Sequence, residues 1–156
     1  MLKKQLLLII STLLISYTTF SQIVVTSTQT PSDLIQNVLL GNGVVATNIT
    51  YNGSAVNATT VQTNVTNFDA TGTTFPIPNG VLLTSGAGTG AVGPNSSNNN
   101  TDATGTSVVT DADLQAIAPN TITNGVILEF DFEATGDSVS FEYMFASEEY
   151  PSDYGG

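Results

Sequence analysis

The chain has 156 residues, with thirteen Asp and Glu, two Lys and no Arg, His, Cys or Trp. Without His or Cys, catalysis by a Ser–His or Cys–His pair is excluded, and so is a disulfide framework. The formal charge of −11 at pH 7 also argues against nucleic-acid binding, which requires Lys and Arg to neutralise phosphates.

The first 21 residues predict an export signal. Lys3 and Lys4 form a charged start, residues 6–15 form an apolar run, and the Thr-Phe-Ser of residues 19–21 fits a small-x-small cleavage site. The apolar run is too short and too often interrupted by Ser and Thr to suit a transmembrane anchor. We therefore predict cleavage before Gln22, no membrane insertion of the mature chain, and a location at the cell surface or outside the cell.

Cleavage would remove both lysines, so that the remaining 135 of the 156 residues carry 13 acids and no basic side chain. The formal charge then falls from −11 to −13, and no side-chain salt bridge can form. Such a surface also repels anionic lipid headgroups. Its carboxylates can be solvated, accept hydrogen bonds or bind cations, and Ca²⁺ is the natural candidate because it prefers oxygen ligands.

Two short helices are predicted along the mature chain. The first spans residues 31–40, with Thr30 as its cap and Pro31 at its first position. The second spans residues 111–118, with Thr110 as its cap, and is about two turns long.

The other segments with apolar content are typical of strands and turns. Before the second helix they are "GVVATNITYNG", "ATTVQTNVTNF" and "GVLLTSG". We predict a mostly β fold, an antiparallel β-sandwich or jelly-roll-like domain with two short helices.

The clearest strand pattern is "VILEFDFEATGDSVSFEYMF". Its alternating apolar residues predict strands 126–133 and 138–146, paired as an antiparallel hairpin. The expected register sets Phe130 opposite Phe141 on the apolar face. On the outer face it sets the like charges of Glu129 and Glu142 opposite each other, which is unfavourable.

The last stretch, "FASEEYPSDYGG", permits two interpretations. In the first, a strand ends where Pro151 interrupts the ladder of hydrogen bonds. In the second, Glu148, Glu149 and Asp153 bind Ca²⁺, together with backbone carbonyl oxygens of the same loop. The sequence leaves both open.

Nearly the whole mature chain, residues 22–156, resembles the choice-of-anchor L domain. The run "FEYMFASEEYPSDYGG" resembles the signature of that family. The most specific part is "DADLQAIAPNTITNGVILEFDFEATGDSVSFEYMFASEEY", which resembles the family's core, above all at residues 147–151. Two other parts resemble its opening and its central glycine-rich segment, respectively "SDLIQNVLLGNGVVATNITYNG" and "FPIPNGVLLTSGAGTGAVGPN".

The resemblance implies an exported surface protein of Bacteroidetes or other bacteria, in a family joined to varied C-terminal anchoring modules and without an assigned biochemical activity. Members continue past the equivalent of Gly156, so we expect an N-terminal fragment whose β domain is incomplete at its C-terminus. An anchor or sorting module is expected downstream.

From these observations we expect a non-enzymatic cell-surface module for adhesion or binding, whose partner is an extracellular glycan or protein. The alternative is a glycosidase-type domain, or an accessory module of a secreted enzyme, since a glycosidase needs only two carboxylates across a sugar. Glu148 and Glu149 suit that role poorly, because adjacent residues of an extended segment point to opposite faces.

Overall fold

The computed structural model describes residues 22–41, 43–94, 111–122, 124–134 and 136–147. These residues form two antiparallel three-stranded sheets: sheet A, ordered β1-β4-β5, and sheet B, ordered β3-β2-β6. The elements in chain order are β1 (Val24–Thr26), α1 (Pro31–Leu34), a π-helical turn (Ile35–Leu39), β2 (Ala46–Tyr51), β3 (Ser54–Ala55), β4 (Val65–Asp69), β5 (Asn79–Leu83), a 3-10 turn (Gly88–Ala91), α2 (Ala112–Ile117) and β6 (Leu128–Phe132). The prediction of a mostly β, sandwich-like fold with few short helices is confirmed.

The first helix begins as its sequence predicts. The Thr30 hydroxyl accepts a hydrogen bond from the Asp33 amide at 3.2 Å, and the Asp33 carboxylate accepts one from the Thr30 amide at 3.3 Å. This reciprocal capping box satisfies two amides that the first turn leaves without helical partners. After Leu34 the helix widens into the π-helical turn, and Leu34 and Ile35 are both fully buried.

The second helix also forms, but its predicted cap was wrong. Asp111 caps α2, because its carboxylate accepts a hydrogen bond from the Leu114 amide at 2.7 Å. Thr110, the predicted cap, lies outside the described residues. Both residue types cap well, and a carboxylate additionally interacts with the positive end of the helix dipole.

The described core lies on sheet A, where α1 packs against β4. β4 is the central strand, and its side chains at positions 65, 66 and 68 are buried. The buried apolar side chains of the core are Leu34, Ile35, Val65, Phe68 and Ala70.

The predicted hairpin was wrong in its pairing. The first run forms β6, but β6 pairs with β2, setting Leu128 opposite Tyr51 and Phe132 opposite Ala46. Residues 136–147, which include the whole of the second predicted strand, have no regular secondary structure. Phe130 is therefore not paired with Phe141.

Two features, one in the turn after β2 and one in β2 itself, favour this partner. The Asn52 amide donates to the Ile127 carbonyl at 2.8 Å, and the Ile127 amide donates to Asn52 Oδ1 at 2.9 Å. In addition, β2 sets Thr50 opposite Glu129. A hydroxyl facing Glu129 avoids the like-charge pair that the hairpin would have created.

A side-chain hydrogen bond links the two sheets. Tyr51, at the end of β2 in sheet B, donates its hydroxyl to Asn64 Oδ1 at 2.8 Å. Asn64 immediately precedes β4 of sheet A and is 1% exposed. The bond therefore ties sheet B to the buried side of sheet A.

Candidate ligand-binding surface

The three predicted calcium ligands cannot be placed. Glu148, Glu149 and Asp153 lie outside the described residues, which end at Ser147. Within the described part of the chain, no group of three or more Asp or Glu side chains is arranged to hold a metal ion. The calcium site stays a prediction.

Residues 139–145, which we call the aromatic segment, lie directly before that acidic stretch. All of its residues are exposed. Phe141 is 76% exposed, Tyr143 79% and Phe145 87%. The rings of Phe141 and Tyr143 lie 6.1 Å apart between centroids, at an interplanar angle of 44°. The chain thus presents neighbouring aromatic rings to solvent.

A row of exposed carboxylates lies along β6 of sheet B and continues one residue past its end. Glu129, Asp131 and Glu133 are all exposed and occupy alternate positions, so they share one face of the strand. Two of them are held by β2: Asp131 Oδ2 accepts from Asn48 Nδ2 at 2.7 Å, and Glu129 Oε2 accepts from the Thr50 hydroxyl at 3.2 Å. Their other lone pairs face solvent and can accept hydrogen bonds from a ligand.

The Asn48–Asp131 contact depends on an irregularity in β2. The pairing register with β6 shifts between Thr47 and Thr50, and Asn48 has a φ of +51°, in the left-handed region. Asn tolerates that region better than most residues. Sequence reasoning missed this contact, although the consecutive polar residues Thr47 and Asn48 break the alternation of "ATNITYNG" at the point where the register shifts.

An open depression of about 430 Å³ lies where β2 begins and β6 ends. Its walls combine apolar groups with two of the carboxylates. The lining residues are Gly43, Val45, Thr47, Asp131, Phe132 and Glu133. An open, partly apolar hollow with hydrogen-bond acceptors suits binding of a surface group better than enclosure of a small molecule.

The carboxylate of Asp69 lies apart from this surface, at the end of β4. Hydrogen bonds from the Thr71 side chain and from its amide, the latter at 2.8 Å, lower the pKa of Asp69 below its usual value. This is a turn interaction, in which an acidic side chain bonds the backbone two residues ahead. It has no part in the candidate surface.

The family model of the choice-of-anchor L domain matches residues 22–156. The chain belongs to the choice-of-anchor L domain family. The resemblance seen in the sequence is thereby confirmed, and the match includes the aromatic segment and both sheets. Searches of curated proteins and of solved structures found no significant match.

Membership of the choice-of-anchor L family identifies a module associated with the cell surface, of a non-catalytic type that occurs in exported surface proteins. None of the helices in the described ranges is long and apolar enough to cross a membrane.

Proposed function

We propose that this chain is a non-enzymatic module of an exported surface protein and that it binds an uncharged extracellular glycan through the aromatic segment. Family membership supports the surface role. The aromatic segment supports binding, because an exposed apolar patch on a soluble domain commonly marks an interaction site. The export signal and the binding activity are both part of this proposal.

The observation that carries the binding role is the exposure of three aromatic rings at alternate positions, 141, 143 and 145. Aromatic rings contribute large apolar contact area, and Tyr adds a hydroxyl that can hydrogen-bond. The apolar C–H faces of a sugar ring can pack on such side chains. Carboxylates such as Glu142, between Phe141 and Tyr143 in the sequence, can accept hydrogen bonds from sugar hydroxyls.

Charge narrows the class of glycan. The mature chain has no basic side chain, so a sulfated or uronic-acid polysaccharide would meet repulsion across the whole surface. An uncharged glycan avoids that repulsion. A protein ligand would have to be neutral or basic at its contact surface for the same reason.

The proposal is tested by measuring binding of the purified chain to an array containing neutral and anionic glycans. We expect signals on neutral glycans, and we expect the triple variant Phe141→Ala, Tyr143→Ala, Phe145→Ala to lose at least about tenfold in affinity, as loss of aromatic anchors typically causes. Ile117→Ala is the matched control, because Ile117 is an apolar side chain 82% exposed on α2.

Equal binding by the wild-type chain and the triple variant would refute the role of the aromatic segment. Selective binding to anionic glycans would refute the charge argument. If the chain bound a protein and no glycan, and the triple variant lost that binding, the aromatic segment would still be the binding surface. The proposal of a glycan ligand would be refuted.

We further propose that Ca²⁺ stabilises the domain through Glu148, Glu149 and Asp153. The support is compositional. Residues 22–156 contain thirteen acidic side chains and no basic one, and three of the acids lie within six residues. Calcium binds carboxylate and carbonyl oxygens and is the cation best suited to such a group.

A further inference from the structure

Asn–Gly pairs are the sequences in which asparagine most readily converts to aspartate. The backbone nitrogen of the glycine attacks the asparagine Cγ and expels ammonia, leaving a cyclic imide. Water then opens the ring to give aspartate or isoaspartate. Glycine favours the attack because it has no Cβ to obstruct it, and a mobile backbone favours it because the two atoms must be brought together.

The chain has four such pairs, beginning at Asn42, Asn52, Asn79 and Asn124. Asn42 lies outside the described residues. The other three have the same local chemistry and differ in their surroundings. They therefore allow the effect of the fold on the reaction to be compared within one molecule.

Asn52 is held on both sides. Its amide donates to the Ile127 carbonyl, and its Oδ1 accepts from the Ile127 amide at 2.9 Å. It also lies in the tight turn between β2 and β3, where Tyr51 and Ser54 lie opposite each other. Bringing the Gly53 nitrogen to the Asn52 Cγ would require these hydrogen bonds to break.

Asn79 is held by strand pairing. It lies opposite Asp69, and Gly80 lies opposite Phe68, in the ladder between β4 and β5. A Cβ built on Gly80 would lie 3.1 Å from the Phe68 ring, so the glycine backbone also packs closely against the core. The peptide between Asn79 and Gly80 cannot rotate unless the edge of sheet A opens.

Among the described contacts, Asn124 has no comparable restraint. It is exposed, with a φ of +57°, in the loop between α2 and β6. Within the described residues, its side chain makes no hydrogen bond, whereas that of Asn52 does. Gly125 belongs to no strand or helix, so the peptide that must rotate is outside regular structure.

We propose that, of the three described Asn–Gly pairs, the one at Asn124 deamidates first in the folded chain, before those at Asn52 and Asn79. Its product would carry one more carboxylate on a chain that is already strongly acidic. The isoaspartyl form would also lengthen the backbone by one methylene, three residues ahead of the Ile127 bonds that hold β6 to β2.

The test is incubation of the full folded chain at mildly alkaline pH, followed by peptide mapping with mass detection of each Asn–Gly pair over time. We expect Asn124 to convert at least about tenfold faster than Asn52 or Asn79, because the latter require local opening that breaks hydrogen bonds. In denaturant the three rates should converge, since each asparagine is followed by glycine.

Two variants sharpen the experiment. Gly125→Ala should slow conversion at Asn124 and leave the rates at Asn52 and Asn79 unchanged, because it adds a Cβ beside the attacking nitrogen. Asn52→Asp should leave the conversion rates at Asn79 and Asn124 unchanged. Equal native rates at the three pairs, or earlier conversion at Asn52 or Asn79, would overturn the proposal, as would a Gly125→Ala chain that reacts at the wild-type rate.

Discussion

Thr66 on β4 is a buried residue with an unusual environment. Its side chain is fully buried, yet its hydroxyl oxygen has no hydrogen-bond partner in the described structure. Gly88 approaches it so closely that a Cβ built on the glycine would overlap Thr66 Oγ1 and lie 3.0 Å from its Cγ2. Gly88 is therefore required at this position by packing.

We predict that Gly88→Ala lowers the free energy of unfolding by about 1–3 kcal/mol, the usual cost of inserting a group into a packed core. Chemical denaturation measures the change. Gly41→Ala is the matched control, because a Cβ at Gly41 meets no atom within 4 Å. If both substitutions had the same small effect, the close packing of Gly88 against Thr66 would be wrong.

Of the two helix caps, the sequence predicted the first correctly and the second wrongly. Thr30 and Asp33 were identifiable because Thr-Pro-Ser-Asp has the spacing of a capping box. Thr110 and Asp111 are adjacent and both can cap, so sequence alone could not decide between them. The backbone decides, since Asp111 is the extended residue whose carboxylate meets the Leu114 amide.

Among the elements, β2 and β4 are linked by the bond from Tyr51 to Asn64. Asn64 is almost fully buried, so water poorly replaces the hydrogen bond that the Tyr51 hydroxyl donates to it. We predict that Tyr51→Phe lowers the free energy of unfolding by about 1 kcal/mol or more. Tyr143→Phe, at a tyrosine 79% exposed, should change it by no more than about 0.5 kcal/mol.

Thermal or urea unfolding of both variants tests this prediction. Equal stability of Tyr51→Phe and Tyr143→Phe would mean that the hydrogen bond contributes nothing to holding the sheets together.

The sequence predicted the existence of β6 but not its partner. Alternation of apolar residues determines which side chains share a face, and it does not determine which strand lies alongside. The neighbouring run was the simplest partner for β6. The structure instead pairs β6 with β2, which lies some 80 residues earlier in the chain. The hydrogen bond between Asn48 and Asp131 is one contact over that separation. The signal for this pairing is Asn52, whose side chain and backbone both bond Ile127.

For the whole molecule, the excess of carboxylates is the dominant electrostatic feature. Repulsion among 13 acids opposes the compact state and is strongest at low ionic strength, where screening is weak. A calcium ion bound only by the folded state would stabilise it by about 2.7 kcal/mol at a hundredfold excess over Kd.

We predict that millimolar Ca²⁺ raises the Tm by several degrees over NaCl at matched ionic strength, and that Glu148→Gln with Glu149→Gln removes most of this increment. Asp113→Asn, at an exposed acid on α2, is the control and should keep it. Identical melting in the two salts would show that the acids act only as a solvated surface.

The candidate site could be predicted only in part. The acidic end of the chain drew attention through its composition, whereas the aromatic segment was predicted to be part of a strand paired with the preceding run. Its exposure at Phe141, Tyr143 and Phe145 appears only in the structure, because the same alternation describes a strand that packs and one that does not.

The proposed surface role requires the mature chain to be exposed at the cell surface. It is tested most directly by treating intact cells with a non-permeant protease and sequencing the N-terminus of the protein that is accessible to it. We predict a chain that begins at Gln22 and is digested on intact cells, while a cytoplasmic marker is protected. Protection of the chain until the cells are lysed, with Met1 to Ser21 retained, would contradict that role.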